Sequence, residues 1–113
     1  MATKKPKLDE VIYVFDLDGT LCTIIKNKQG HKEYALAQPL MDRIAKVNEL
    51  YDEGHLIKID TARGAETGID WTKFTENQLE LWGVKYHLLR VGKKLHGNWY
   101  VDDKGIHSDE FFK

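Results

Sequence analysis

Acidic, hydroxyl and amino side chains lie directly after short apolar runs at several points of this sequence. Asp16 and Asp18 follow the run at residues 11–15, and Thr61 follows the run at residues 56–60. The later runs, at residues 86–89 and 99–101, are followed by Lys93, Lys94, Asp102 and Asp103. If the runs are parallel strands, their carboxyl ends meet at one edge of the sheet, where ligands bind in such folds. The sequence therefore predicts a single site.

This set of side chains suits phosphoryl transfer, which depends on positioning and charge neutralisation more than on elaborate bond-making groups. The carboxylate of Asp16 is the predicted nucleophile, because attack on phosphorus would form an aspartyl-phosphate and split one difficult displacement into two easier ones. Asp18 is the predicted general acid for the leaving oxygen and general base for the attacking water. These two aspartates are the predicted catalytic residues.

Attack by one anion on another requires a cation, and a set of oxygen ligands favours Mg²⁺. The predicted metal ligands are the side chains of Asp16 and Asp102 and the main-chain carbonyl of Asp18. Asp103 is either a further ligand or a partner that holds a ligand in place. Mg²⁺ is accordingly the predicted cofactor.

The phosphoryl oxygens need donors of their own. The Thr61 hydroxyl and exposed main-chain N–H groups at the following turn, which begins with Ala62, are predicted to hydrogen-bond them. A lysine offsets their charge, and Lys93 is preferred over Lys94 because a glycine precedes it. Thr61, Ala62 and Lys93 are therefore the predicted phosphate-binding residues.

Periodicity and turn residues indicate which elements position this site. The runs at residues 11–15 and 56–60 are typical of strands in a parallel sheet, and shorter strands are predicted at residues 86–89 and 99–101. Pro39 precedes an amphipathic helix that ends at Gly54. A second helix is predicted from about Trp71 to Trp82, with Leu81 among the residues at near-helical spacing. Alternating strands and helices predict a parallel sheet covered by helices.

The segment between the first strand and the first helix predicts a β-hairpin flap. Its centre, at residues 26–30, has the sequence Lys-Asn-Lys-Gln-Gly, which is typical of a turn. The flap, the helices and the strands fill the intervals between the site residues, so no cap domain fits. The predicted fold class is α/β, a small Rossmann-like parallel sheet of about four strands flanked by helices.

Length, charge and cysteine content narrow the class of protein. The 113 residues fit one domain, predicted at residues 10–113 after a flexible tail at residues 1–9. A net charge of -1 argues against a nucleic-acid partner, which usually requires a basic excess. Cys22 is the single cysteine, and no apolar run is long enough for a membrane helix. We therefore expect a cytoplasmic protein with no membrane partner.

The motifs taken in order resemble the haloacid dehalogenase superfamily. They are Asp-Leu-Asp-Gly-Thr at residues 16–20, Thr61, Lys93, and the Asp-Asp pair at residues 102–103. Further segments look like the short bacterial phosphatases associated with capsule and surface-polysaccharide biosynthesis, including Thr-Ala-Arg-Gly at 61–64 and Tyr-Val-Asp-Asp-Lys at 100–104. The resemblance implies a capless phosphatase, because family members that cleave carbon–halogen bonds typically lack the aspartate found here at position 18. It also implies the roles of the site residues given above.

The leading hypothesis is Mg²⁺-dependent hydrolysis of a phosphomonoester carried by a small phosphorylated metabolite, either a sugar phosphate or a polysaccharide precursor. The alternatives are a capless nucleic-acid 3′-end phosphatase and a catalytically retired domain that binds phosphate and serves in assembly. An exposed edge at the last strand leads to the further hypothesis of a homo-oligomer. The roles of Asp60 and His96 stay open, and for Arg63 a clamp on a substrate anion and a structural salt bridge are equal alternatives.

Overall fold

The computed structural model describes residues 11–92, 99–101 and 108–112. The predicted tail lies outside these residues, as do Lys93, Lys94, Asp102 and Asp103. The elements in chain order are strand β1 (Ile12–Phe15), a 3-10 helix (Tyr34–Leu36), helix α1 (Met41–Asp52), strand β2 (Leu56–Thr61), helix α2 (Thr72–Leu81), strand β3 (Leu88–Val91), strand β4 (Trp99–Val101) and helix α3 (Ser108–Phe111).

Strands β1, β2 and β3 form a parallel sheet in which β2 lies in the middle. In the register, Ile59 of β2 lies opposite Phe15 of β1 and Leu89 of β3. The three-residue β4 pairs in parallel with the other side of β1, so the strand order is β3-β2-β1-β4. The predicted class, a small α/β protein with a parallel sheet flanked by helices, is confirmed.

The strand order reverses beside β1. From β1 the chain crosses to β2 and then β3 on one side, and it returns to the other side of β1 at β4. At such a reversal the connections leave the sheet in opposite directions and open a crevice at the carboxyl ends of the strands. Asp16, the first residue after β1, lies at this point.

Helix α1 matches its predicted position between Pro39 and Gly54. Its buried residues are Ile44, Val47 and Leu50, which recur every three residues and form one apolar stripe. These side chains join a core that includes Phe15 and Ile59 from the sheet, both fully buried. Burial of that stripe fixes the helix against the sheet, because isolated helices of this length are marginal in water.

Helix α2 also lies where it was predicted, and one residue of the expected set differs. The buried residues are Thr75, Gln78 and Leu79, whereas Leu81 is 81% exposed. The inclusion of Leu81 in the expected apolar spacing was wrong, because positions 75, 78 and 79 share a face that position 81 does not. No helix in the described part of the chain is long and apolar enough to cross a membrane.

Strand β3 begins at Leu88, two residues later than predicted. The imidazole Nδ1 of His87 accepts a hydrogen bond from the main-chain N–H of Ile57 at 3.0 Å. This N–H is a group that regular strand pairing would use, so the ladder between β2 and β3 starts only at the next pair, Lys58 with Leu88. The main-chain N–H of His87 donates to the carbonyl of Ile57 at 2.8 Å, so the side chain replaces one main-chain acceptor at the start of the ladder.

The segment between β1 and α1 turns back on itself at the predicted position. Lys26 and Lys32 form an isolated antiparallel bridge. The side-chain Oδ1 of Asn27 accepts hydrogen bonds from the N–H groups of Gln29 and His31, each at 2.9 Å, and closes the turn. The chain reversal is therefore built from turn hydrogen bonds and single bridges.

Candidate active site

The loop after β1 is closed by hydrogen bonds to one carbonyl group. The carbonyl oxygen of Leu17 accepts from the N–H groups of Thr20, Leu21 and Cys22 at 3.1, 2.9 and 3.3 Å. Leu17 and Leu21 are fully buried, so the loop is anchored in the core. The residues between and before these anchors, including Asp16 and Asp18, are consequently held in a fixed loop at the end of β1.

Asp16 connects this loop to the end of β4. Its main-chain N–H donates a hydrogen bond to the carbonyl oxygen of Val101 at 3.2 Å. Asp16 is partly buried, and it lies where the strand order reverses. Its position agrees with that of the predicted nucleophile. The predicted metal ligands Asp102 and Asp103 follow Val101 in the sequence and lie outside the described residues.

Asp18 forms a two-point ion pair with Arg63. The guanidinium Nε donates to Oδ2 at 3.0 Å, and Nη2 donates to Oδ1 at 2.8 Å. The side chains are 0% exposed for Arg63 and 8% exposed for Asp18, so the pair is shielded from water. The thiol of Cys22 also donates to Oδ1, at 3.5 Å. Three donors therefore fix the predicted acid/base carboxylate.

The remaining contacts of Arg63 are with helix α2 and the 3-10 helix. Its Nη1 donates to Thr75 Oγ1 at 3.1 Å and to Gln78 Oε1 at 2.8 Å. The guanidinium carbon lies 4.4 Å from the centroid of the Tyr34 ring, within the range of a cation–π contact. Gln78 Nε2 in turn donates to the carbonyl oxygen of Tyr34 at 2.9 Å. Arg63 is the centre of a buried polar network.

Thr61 is the last residue of β2, at the predicted edge of the sheet. It is 2% exposed, and its Oγ1 accepts a hydrogen bond from the main-chain N–H of Arg63 at 3.3 Å. The carbonyl of Thr61 accepts from the N–H of Gly92 at 2.7 Å, and Ala62 is exposed. The structure thus brings the turn at Thr61 and Ala62 close to Asp18 through Arg63, and Gly92 beside Thr61.

A narrow cleft beside Asp18 encloses about 150 Å³ of space between atoms and leaves no room for a water molecule. Lys32, Tyr34 and Ile24, from the segment between β1 and α1, are among its lining residues. A larger groove, with an empty volume of about 700 Å³, lies along α2 and contains none of the predicted site residues. We place the candidate site at the strand ends beside the smaller cleft, because the predicted chemistry rests on Asp16 and Asp18, and Asp18 lines this cleft.

Burial and the carboxylate of Asp18 raise the pKa values of two nearby side chains, Cys22 and Tyr34. Burial raises the pKa of the Cys22 thiol to about 12, and the nearby Asp18 charge adds to this rise. Burial also raises the pKa of Tyr34, with Asp18 again the next contributor. Cys22 is fully buried and stays a neutral thiol at physiological pH, which agrees with a packing role rather than a nucleophilic one.

The described part of the chain contains no group of three or more His, Cys, Asp and Glu side chains arranged to hold a metal ion. Two predicted ligands, Asp102 and Asp103, are not among these residues. Two other predicted ligands, the Asp16 carboxylate and the Asp18 carbonyl, are within the described residues. Both are hard oxygen ligands of the type that Mg²⁺ prefers. The hydrogen bonds of the loop go to the carbonyls of Leu17 and Cys22, so Asp18 keeps its carbonyl out of that network. The donor chemistry fits the predicted ion.

Sequence reasoning left Arg63 undecided and did not find its partners. Thr75 and Gln78 are three residues apart on α2, which places them on one face of the helix. Two polar residues on a face that packs against the sheet indicate a buried polar partner, because burying them unpaired is costly. That pattern was the available signal for the network around Arg63.

No family model matches the chain, and no curated protein matches it. The crystal structure of a structural-genomics target protein from Vibrio cholerae is similar to it, with a TM-score of 0.67 and 28% sequence identity. The match covers 90% of this chain and 87% of that chain. The similarity supports the α/β class of protein over nearly the whole length.

Proposed function

We propose that this protein is a Mg²⁺-dependent phosphomonoesterase with a capless, Rossmann-like fold of the haloacid dehalogenase type. The observation that carries the proposal is the position of Asp16. It follows β1 at the reversal of strand order, Asp18 is two residues further along the same loop, and Arg63 connects Asp18 to the Thr61 turn. In α/β sheets this is where ligands bind.

In the proposed reaction Asp16 attacks the phosphorus of a phosphomonoester. One carboxylate oxygen forms the new P–O bond while the bond to the leaving oxygen breaks, which gives an aspartyl-phosphate and an alcohol. Asp18 gives the leaving oxygen its proton and later takes a proton from the water that attacks the aspartyl-phosphate. That second displacement releases inorganic phosphate and restores the carboxylate of Asp16.

Residues of the neighbouring strand ends would bind the phosphoryl group. We assign the main-chain N–H groups at the exposed Ala62 turn, together with Thr61 and Lys93, to its oxygens. Asp16, the Asp18 carbonyl, Asp102 and Asp103 would hold Mg²⁺, which when bound would neutralise charge between nucleophile and substrate. The proposed substrate is a small phosphorylated metabolite, either a sugar phosphate or a polysaccharide precursor.

Phosphate release from a substrate panel tests the proposal. The panel contains 4-nitrophenyl phosphate, sugar phosphates, nucleotides and a 3′-phosphorylated oligonucleotide, each assayed with Mg²⁺ and with a chelator in its place. We expect Mg²⁺-dependent release with the small phosphates. Release confined to the oligonucleotide would support a nucleic-acid end phosphatase, and no release from any substrate would leave a binding domain as the better interpretation.

Replacement of the nucleophile gives the sharper test. Asp16→Asn should lower kcat by at least about 10³-fold, because a carboxamide cannot form the phosphorylated intermediate. The matched control is Asp52→Asn, which changes an exposed carboxylate of α1 that pairs with Lys85. Circular dichroism should show both variants folded. Turnover retained in Asp16→Asn would remove Asp16 as the nucleophile.

A further inference from the structure

Arg63 is too enclosed to bind a substrate anion. The residue is 2% exposed, and its guanidinium group already has four hydrogen bonds with side chains. A guanidinium carries five N–H groups, so at most one is left for any other acceptor. Of the two alternatives that the sequence left open, the structure therefore favours the salt bridge over the substrate clamp.

We propose that Arg63 is a positioning residue that fixes the carboxylate of Asp18 for proton transfer, an inference that rests on the proposed function. A planar fork that bonds both oxygens sets the rotation of the carboxylate as well as its position, which a single point charge cannot do. Proton transfer needs this accuracy, because misplacement of a catalytic group by about 1 Å can cost about 10²-fold in rate.

Arg63 is itself held in place by side chains of helix α2. Thr75 and Gln78 hold Nη1 from a buried face of α2, and Thr75 itself is fully buried. The Tyr34 ring covers the guanidinium, and the Tyr34 carbonyl accepts a hydrogen bond from Gln78. The fork is thus held on a helix and covered by the segment that lines the cleft. Functional groups held by rigid elements keep their geometry better than groups held by loops.

Single-turnover kinetics with 4-nitrophenyl phosphate separate positioning of Asp18 from general damage. Nitrophenolate leaves without a proton, so its release reports the attack by Asp16 and needs little from Asp18. Phosphate release reports hydrolysis of the aspartyl-phosphate, for which Asp18 must take a proton from water. With enzyme in excess, quenched samples give both rate constants for each variant.

Arg63→Lys keeps the positive charge but loses the fork. We expect nitrophenolate release within about threefold of wild type and phosphate release slower by about 10- to 100-fold. Asp18→Asn should also spare nitrophenolate release and should slow phosphate release more than Arg63→Lys does. The KM for a sugar phosphate should stay within about threefold, because a positioning residue does not contact the substrate. Lys85→Gln, on the surface, is the matched control and should leave both rates unchanged.

A second variant covers the case in which Arg63→Lys does not fold. Thr75→Val conserves shape, removes one hydrogen bond to Nη1 and leaves the guanidinium in place. It should slow phosphate release by a smaller factor, about three- to tenfold, and spare nitrophenolate release. Its folding is checked by thermal melting before the kinetics.

The outcomes that overturn the inference differ from those that overturn the proposed function. Equal losses of both rates in Arg63→Lys and Thr75→Val would show a purely structural role. A raised KM with unchanged rates would show that Arg63 contacts the substrate instead. In either case the phosphatase function stands and the inference fails. If wild-type protein releases neither product, the proposed function fails and the inference fails with it.

Discussion

The ion pairs Arg63–Asp18 and Lys85–Asp52 have nearly equal lengths and opposite surroundings. Their shortest N···O distances are 2.8 and 2.9 Å. The side chains of the first pair are 0% and 8% exposed, whereas those of the second are 49% and 60% exposed. Distance alone would rate the two pairs as equivalent. Solvent makes them different, since water screens the second pair and competes for both of its partners.

For a buried ion pair, removing one partner destabilises the protein strongly, although the intact pair contributes little net stability. A charge taken out of water loses several kcal/mol of hydration, and an ion pair repays this only if every donor and acceptor is satisfied. In the Arg63 network each guanidinium nitrogen has at least one acceptor, from Asp18, Thr75 or Gln78. We therefore expect a network that is retained for specificity of geometry and in which loss of the buried cation is costly.

The largest effect should come from Arg63→Met. The change removes the cation and leaves the Asp18 carboxylate, the Thr75 hydroxyl and the Gln78 amide without their buried partner. We expect the free energy of unfolding to fall by about 3–5 kcal/mol. Urea unfolding followed by circular dichroism measures this difference. A loss below about 1 kcal/mol would mean that the buried pair behaves like a surface pair, and the comparison would fail.

The next effect concerns Gly64, which follows Arg63 in the turn after β2. Its φ is +83°, and a Cβ there would overlap the main-chain carbonyl oxygen of Ile69 and lie 2.9 Å from Trp71 Cδ1. Gly83 has a φ of +73° with nothing within 4 Å of an added Cβ. Gly83→Ala should therefore cost about 1–2 kcal/mol for the backbone conformation alone.

Gly64→Ala should cost about 1–3 kcal/mol more than Gly83→Ala, because backbone must move as well. Thermal melts of the two variants under one condition give the comparison. Equal shifts in Tm would indicate that the turn beside Arg63 can relax. In that case the site would be less rigid than the hydrogen-bond network implies.

Much of the fold was predictable because local sequence and burial agree. The uninterrupted apolar run that forms β1 ends in Val14 and Phe15, which point to opposite faces and are both buried, and the apolar stripe on α1 has one periodicity and one buried face. Strand β3 is different, since Leu88 and Arg90 are exposed while Leu89 and Val91 are only partly buried. Such a half-exposed edge strand has a weak pattern, and its start depends on His87, whose role is set by tertiary contact.

For the site, the ends of strands were predictable and the contacts between them were not. Asp16, Asp18 and Thr61 were located because residues after parallel strands share one edge of the sheet. The partner of Asp18 is 45 residues away in the sequence, and only the packed structure brings Arg63 to it. Spacing in the sequence identifies candidate side chains. It does not decide whether the Arg63 guanidinium pairs with a substrate anion or with a carboxylate of the protein, which depends on the packed structure.

The pH dependence of stability tests whether the Cys22 thiol, which contacts the Asp18 carboxylate, is buried. Burial raises the pKa of Cys22 from 9.0 to about 12, so the folded thiol keeps a proton that the unfolded thiol loses. Stability should therefore fall as pH rises from about 9 towards 12, by at most about 1.4 kcal/mol per pH unit.

Cys22→Ser provides the control for this pH dependence, because a serine hydroxyl does not ionise in that range and other groups are common to both proteins. Urea unfolding at pH 8, 9 and 10 gives the difference between wild type and variant at each pH. The difference should decrease with pH. A difference that stays constant would place Cys22 in contact with water and weaken the view of a closed site.

The smallest effect should come from Lys85→Met, the same replacement applied to the exposed pair. Lys85 Nζ contacts both carboxylate oxygens of Asp52, at 2.9 and 3.2 Å, so the geometry matches that of a strong pair. We nevertheless expect a loss of only about 0–1 kcal/mol, because water can replace either partner and because ordering the long lysine side chain offsets the attraction. The main-chain N–H of Lys85 donates to Asn48, and the replacement leaves this bond in place.

Unfolding in urea at low salt and at 1 M NaCl, where the screening length is about 3 Å, should give nearly equal losses for Arg63→Met and a vanishing loss for Lys85→Met. A loss above about 2 kcal/mol at the surface pair would show that geometry, rather than burial, sets the strength of ion pairs in this protein.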